Sequence, residues 1–123
     1  MNRVVITGLG VISCLGNNHN EVLNSLQKSK SGLSINQDYI DNGMRCHVSG
    51  QVDPDLSVID RKMLRFMSET SAYAFLSTKE AITDAGLKPE EISNDEVGVI
   101  VGSGTGSSRE LKNVVDTARE KGV

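Results

Sequence analysis

No stretch of this 123-residue chain is apolar for more than a few residues. Nothing in it spans a bilayer as a helix, which takes about 20 consecutive apolar residues. The N-terminus lacks the apolar block of a signal peptide, so a cytoplasmic protein is expected. Cysteine is scarce: Cys14 and Cys46 are the only two, far fewer than a small disulfide scaffold carries, and both are read as free thiols. Neither belongs to a CxxC pair, and His19 and His47 form no HxxxH. Cys46 and His47, adjacent on a strand, would point to opposite faces. No metal centre, no cofactor and no Cys/His nucleophile is read from that set. Positive charge is short as well, with 13 Lys plus Arg against 16 Asp plus Glu and a net charge of -3. That balance argues against nucleic acid as the partner of the whole surface, and any basic patch is local. There is no internal repeat or low-complexity tract, and the length suits one ordinary domain, which need not be complete.

Glycine is what the chain has. In VVITGLGVISCLG, residues 4–16, Gly8 and Gly10 follow a β-branched run. A dinucleotide loop needs a third glycine and a helix opening behind it to aim its dipole at the pyrophosphate. Ser13 stands where that glycine belongs, and Val11 and Ile12 favour extended backbone. The pair is read as glycines where backbone approaches backbone. GSGTGSS, residues 102–108, lies between the aliphatic run VGVIV, residues 97–101, and a helical pattern, which makes it the better phosphate candidate. It lacks the lysine and hydroxyl of a Walker loop. Its alternating Gly102, Gly104 and Gly106 are read as places where a neighbouring strand or a ligand chain comes close.

The periodicities give an α/β order of strand, helix, excursion, helix, strand, helix. RVVIT, residues 3–7, and VGVIV read as strands buried on both faces. A helix capped by Asn20, buried through Val22, Leu23 and Leu26, is expected to stop at Gly32. An excursion over roughly 33–67 contains an edge strand at 45–52 and a short helix within 59–67, capped by Asp60, with Met63, Leu64 and Met67 inward. Ser68 caps a longer helix with Ala72, Phe75, Leu76, Lys79 and Ile82 near one stripe; Gly86 ends it and Pro89 blocks continuation. A last helix carries Leu111, Val114, Val115 and Ala118 at the spacing of a buried stripe. Parallel pairing through right-handed crossovers is the architecture this order predicts. Arg61, Lys62 and Arg65 form a local basic cluster, 61 and 65 sharing one helix face; a solvated helix face accounts for them equally well.

Taken together, RVVITGLGVIS with CLGNN, SGLS, GMRCHVSGQV, IDRKMLRFMS, ETSAYAFLSTKEAITDAGL and EVGVIVGSGTGS resemble the amino-terminal part of a β-ketoacyl-acyl-carrier-protein synthase, closest to the synthase I type. They cover almost the whole chain in that family's order. The resemblance implies a thiolase-like layered α/β/α/β/α fold, incomplete in this chain, with residues 1–123 as a partial N-terminal domain of a homodimeric parent. It implies decarboxylative Claisen condensation through a cysteine nucleophile and two histidines, an acyl transfer followed by carbon–carbon bond formation. Those three residues belong to later parts of the family's chain. Cys14, Cys46, His19 and His47 match none of them, and this chain alone is expected not to condense anything. Arg61, Lys62 and Arg65 match the family's basic helix for acidic acyl carrier protein. Thr105, flanked by Gly104 and Gly106, matches the position lining the acyl pocket; a small residue is usual there in synthase I types and a larger apolar one in synthase II types, and threonine is neither. Two other readings use the same residues: a nucleotide-binding α/β domain built on GSGTGSS, and a non-catalytic carrier-protein-binding module.

Overall fold

Capping residues decide where the helices of this chain begin and end. The computed structural model describes residues 3–122. In order its elements are α1 (His19–Gln27), β1 (Leu33–Ile35), α2 (Gln37–Asp41), β2 (Val48–Gly50), a 3-10 turn (Leu56–Val58), α3 (Arg61–Leu64), α4 (Glu69–Asp84), α5 (Pro89–Ile92) and α6 (Ser108–Lys121). Ser68 caps α4 by accepting the Ser71 N–H, and Gly86 stops it at φ 67°. There the Gly86 and Leu87 N–H groups close on the Thr83 and Ile82 carbonyls, which would otherwise go unpaired. Both ends are those the sequence predicts. Pro89 follows, and besides blocking continuation it opens α5 at the first helical position, where a missing N–H costs nothing.

The ends of α1 differ from expectation. Asn18, not Asn20, is the cap: its side chain accepts the Glu21 N–H at 2.9 Å, while the Glu21 carboxylate reaches back to the Asn17 N–H at 2.8 Å. Between them the two side chains satisfy the Glu21 and Asn17 N–H groups at the helix start, which fixes that start two residues early. The stop is Ser29 at φ 52°, with the Ser29 and Lys30 N–H groups on the Leu26 and Ser25 carbonyls. A serine therefore holds the left-handed position usually given to glycine, and Gly32 lies beyond it.

Among the described residues the only sheet is antiparallel and two-stranded, with Leu33 opposite Gly50, Ser34 opposite Ser49 and Ile35 opposite Val48. The predicted edge strand at 45–52 is real but three residues long. The predicted strands at 3–7 and 97–101 are extended without ladder bonds, and the parallel pairing expected between them is not formed. A run with aliphatics on both faces becomes a strand only when neighbours take its N–H and C=O groups. Val4 at 93% exposed and Ile100 at 100% show that the described residues supply no such neighbours. The apolar stripes tell the same story. Leu23 and Leu26 on α1 and Leu111 and Val114 on α6 are exposed rather than buried, as is Met63 on α3. Amphipathic spacing names the face that wants cover, not the element that provides it.

Packing concentrates on α4. The segment from Gly8 to Val11 lies against it so closely that a Cβ on Gly8 would fall 2.2 Å from the Ala81 carbonyl oxygen, and one on Gly10 would fall 1.8 Å from that of Ser77. This is the backbone-on-backbone approach read from the sequence. The N–H groups that follow each glycine are taken by the helix: Asp84 accepts from Leu9 at 2.9 Å and Glu80 from Val11 at 2.8 Å. One helical turn on α4 thus matches two residues of extended chain, and carboxylates do the work of a neighbouring strand's carbonyls. The most buried apolar residues are Ala72 on α4 and Ile59 just before α3; Ser25 is buried too, donating its hydroxyl to the Leu15 carbonyl.

Candidate functional site

A four-residue helix is too short to persist on propensity alone. α3 is held by its cap, since one Asp60 carboxylate oxygen accepts from both Lys62 and Met63, at 2.8 and 3.3 Å. The short turn presents Arg61 and Lys62, with Arg65 at its C-cap, all three exposed. Of the three, only Arg65 stands at the C-terminal end, where a cation complements the helix dipole. Among the described residues none of the three is within ion-pair distance of a carboxylate. The basic cluster named from the sequence is therefore one exposed face with no internal counter-charge.

The glycine loop is less closely packed than the sequence suggests. A Cβ on Gly102, Gly104 or Gly106 would meet nothing within 4 Å, so none of the three is required there for lack of side-chain space among the described residues. Gly106 earns its place through φ 67°, its N–H donating to Ser103 Oγ at 3.1 Å. Thr105 is exposed. The N-terminus of α6 is spoken for, with the Ser107 hydroxyl accepting from Glu110 N–H and the Glu110 carboxylate in the first turn. That local negative charge works against a phosphate at the helix end and weakens the nucleotide reading.

The sequence reading missed how this loop is tethered. Arg109 on α6 donates to the Glu69 carboxylate in the first turn of α4. Glu69 lies four residues after Arg65, and Arg109 three after Gly106. The start of α4 thereby gathers the basic helix, through the chain, and the end of the glycine loop, through an ion pair. Tyr73, one turn further on, has its hydroxyl pushed above the ordinary phenol range by burial first and then by the Glu69 charge, with Arg109 opposing. No local pattern signals a pair 40 residues apart.

The cysteines and histidines are not brought together: Cys14 is packed, His19 is hydrogen-bonded, and Cys46 and His47 are exposed. Cys14 sits against two glycines, where a Cβ on Gly32 or Gly50 would come within 2.7 or 2.9 Å of its sulfur, and Cys46 is exposed. His19 binds Glu80 twice, its backbone N–H at 2.8 Å and its Nδ1 at 2.9 Å. Partial burial alone would raise the Glu80 carboxyl; the N–H groups of His19 and Val11 and the His19 ring outweigh it and hold Glu80 below the usual carboxylate range. An open cleft of about 680 Å³ runs past this pair, between the start of α1, Pro54 to Val58 and the outer face of α4. The only sequence signal for it was the i, i+4 spacing of Glu80 and Asp84. Among the described residues no helix is long and apolar enough to cross a membrane.

Comparison with known proteins places this arrangement. The family model described as Beta-ketoacyl synthase, N-terminal domain, matches residues 1–123. The chain is 55% identical over 111 residues to 3-oxoacyl-(acyl-carrier-protein) synthase 1 of Escherichia coli (strain K12), covering 89% of this chain and 27% of that protein. It is 47% identical over 120 residues to the synthase 1 of Haemophilus influenzae, covering 97% of this chain and 30% of the relative. A synthase 2 of Synechocystis is 31% identical over 122 residues, again over 29% of its own length. The chain thus spans less than a third of the relatives it matches. With a family model matching from its first residue to its last, the chain belongs to the beta-ketoacyl synthase family, and the match is to that family's N-terminal domain.

Proposed function

We propose that these residues are the N-terminal part of a 3-oxoacyl-acyl-carrier-protein synthase of the synthase I type, an acyltransferase that lengthens fatty acyl chains in the cytoplasm. The 55% identity to a protein of that name carries this reading. In the reaction an enzyme thiol takes the acyl group from its carrier thioester; malonyl-acyl-carrier protein then loses carbon dioxide, and the carbanion so formed attacks the acyl thioester and expels the thiolate. Nothing among the described residues offers that thiol in a suitable setting, since Cys14 is packed between glycines and Cys46 is exposed on a loop. The 123-residue chain by itself does not condense.

Its share of the work is docking and shaping. Arg61, Lys62 and Arg65 receive the acidic carrier protein, a role supported by their exposure and by the lack of an ion-pair partner for any of them among the described residues. Charge of one sign on a small face raises association rate and selects an acidic partner. Thr105, between Gly104 and Gly106, lines the acyl pocket once the remaining layers of a thiolase-like α/β/α/β/α fold close over it. Open space at all three glycines is compatible with a ligand chain arriving there. The parent acts as a homodimer, and the remaining layers of its fold give the uncovered aliphatic runs at 3–7 and 97–101 their neighbours.

The test is the product of the natural gene, given acyl-carrier protein and malonyl-carrier protein and followed by carbon dioxide release and 3-oxoacyl product. Condensation by that product, with none from residues 1–123, is expected. A gene product that binds carrier protein without condensing would replace the enzyme with a docking module; saturable protection by NAD(P) or ATP would move the reading to the glycine loop.

A further inference from the structure

The glycine loop is tied to α4 at one end and loosely seated on it at the other. On entry, Val99 and Val101 line an open hollow of about 330 Å³ with Ala74 and Thr78 of α4, and both keep most of their surface in solvent. On exit, Arg109 at the start of α6 donates to the Glu69 carboxylate in the first turn of α4. The remaining polar contacts of the loop and α6 are internal: the Gly106 N–H donates to Ser103, the Glu110 N–H to Ser107, and Lys112 and Arg119 pair with Asp116. Among the described residues, the pair of Arg109 with Glu69 is the only hydrogen bond or ion pair that joins the loop and α6 to the rest of the chain. Gly102, Gly104 and Gly106 give the backbone between the two ends no stiffness of its own. The place that Thr105 occupies is therefore set by its anchor.

We propose that Arg109 is a positioning residue for acyl-chain length: held by Glu69, it keeps Thr105 where the end of the acyl chain meets it. The proposal rests on the acyl-pocket reading of Thr105 and adds to it the group that holds that pocket wall in place. A branched threonine side chain on a fixed loop stops a long chain, whereas the same side chain on a freed glycine loop gives way to it. Discrimination by length is built from small differences per methylene, so a wall that yields lowers it without disturbing the reacting carbons. The strength of the anchor bounds the effect. Arg109 and Glu69 are 68% and 41% exposed, and a pair so open to water holds weakly, which limits the change in discrimination to about fivefold.

The test uses the full-length gene product and measures kcat/KM for condensation from octanoyl-carrier protein and from myristoyl-carrier protein. Arg109→Ala is expected to raise the myristoyl-to-octanoyl ratio by about threefold to fivefold, through KM for the longer chain, with kcat on the shorter one near wild type. Arg109→Glu with Glu69→Arg re-forms the pair in reverse and should restore the wild-type ratio; Arg109→Lys, which keeps the charge, should stay close to it. A ratio that Arg109→Ala leaves unmoved or lowers, with both chains slowed alike or neither slowed, is what a merely structural residue gives and would overturn the proposal. A reversed pair that behaves like Arg109→Ala would overturn it too. Wild type that condenses neither chain would bring down the acyltransferase reading and the proposal with it, whereas wild type that discriminates by length no better and no worse than its Arg109 variants removes the anchor alone.

Discussion

Gly10→Ala puts the central packing of this domain to the question. The glycine has an ordinary negative-φ backbone, so alanine meets no conformational penalty there, and the cost is steric alone. A Cβ would start 1.8 Å from the Ser77 carbonyl oxygen, whereas ordinary contact begins near 3.4 Å, so the segment must retreat by about 1.6 Å. The obstacle is helix backbone, which cannot rotate away. A retreat of that size breaks the 2.8 Å bond from Val11 N–H to Glu80 and strains the 2.9 Å bond from Leu9 N–H to Asp84. Overpacking costs about 1–3 kcal/mol, and a lost hydrogen bond to a charged group about 1.5–3 kcal/mol. Alanine offsets about 0.4–1 kcal/mol of this by restricting the unfolded chain. The net loss is about 1.5–5.5 kcal/mol, read as a fall in the urea midpoint at unchanged slope. Gly98→Ala is the comparison: its Cβ would meet nothing within 4 Å, so stability there should hold or rise slightly. A Gly10→Ala protein within about 0.5 kcal/mol of wild type would refute the close-approach argument, because that is the scatter of surface changes that touch nothing.

Three further outcomes follow from single contacts. Ser29→Gly relieves a non-glycine residue at φ 52° and should raise stability by up to about 1 kcal/mol, seen in thermal melts; Ser29→Val should lower it. Asp60→Ala removes the cap of α3 and should cost about 1 kcal/mol, while Asp60→Asn, an equally good cap, should cost little. Glu80 has its folded pKa held below the ordinary 4.5, so its contribution is fully present above that value and disappears as pH falls through the lower folded pKa. Glu80→Gln should therefore reduce stability at neutral pH and remove part of the acid-side loss in a denaturation series from pH 7 to about pH 3.

How much of this was legible depends on whether the physics is local. Ser68, Gly86 and Asp60 could be assigned from sequence because a cap involves residues within one turn. The close approach at Gly8 and Gly10 was legible in kind, since glycine after a β-branched run permits contact, but not in its partner. The stop at Ser29 was hidden because serine adopts the left-handed region rarely, and the sequence offered Gly32 as the cheaper choice. The runs at 3–7 and 97–101 carry aliphatic character that asks for burial on both faces, which is why they read as strands. Pairing is a property of neighbours, and the described residues provide none. The basic face was legible as charge in Arg61, Lys62 and Arg65, whereas the Arg109 tether to Glu69 joins residues 40 apart and left no local trace.

The long-range contacts converge on one element, and this decides how the docking face is held. α4 takes Arg109 at its first turn and the Leu9 and Val11 N–H groups at its last two turns. The basic helix joins that first turn through only Phe66, Met67 and Ser68. A change at Gly10 or Glu80 therefore acts on the far end of a rigid 16-residue rod whose near end carries Arg61, Lys62 and Arg65 by a short connection. A rod about 24 Å long transmits position without needing a chain of side-chain contacts. On the proposed docking reading, charge on this face sets the encounter with an acidic partner, while the seating of Gly8 and Gly10 on α4 bears on how that face is held. A variant at Gly10 that keeps the helix count yet lowers carrier affinity would locate the coupling in the seating of α4. Weakened affinity at Glu69→Ala with α4 otherwise intact would locate it instead in the Arg109 tether.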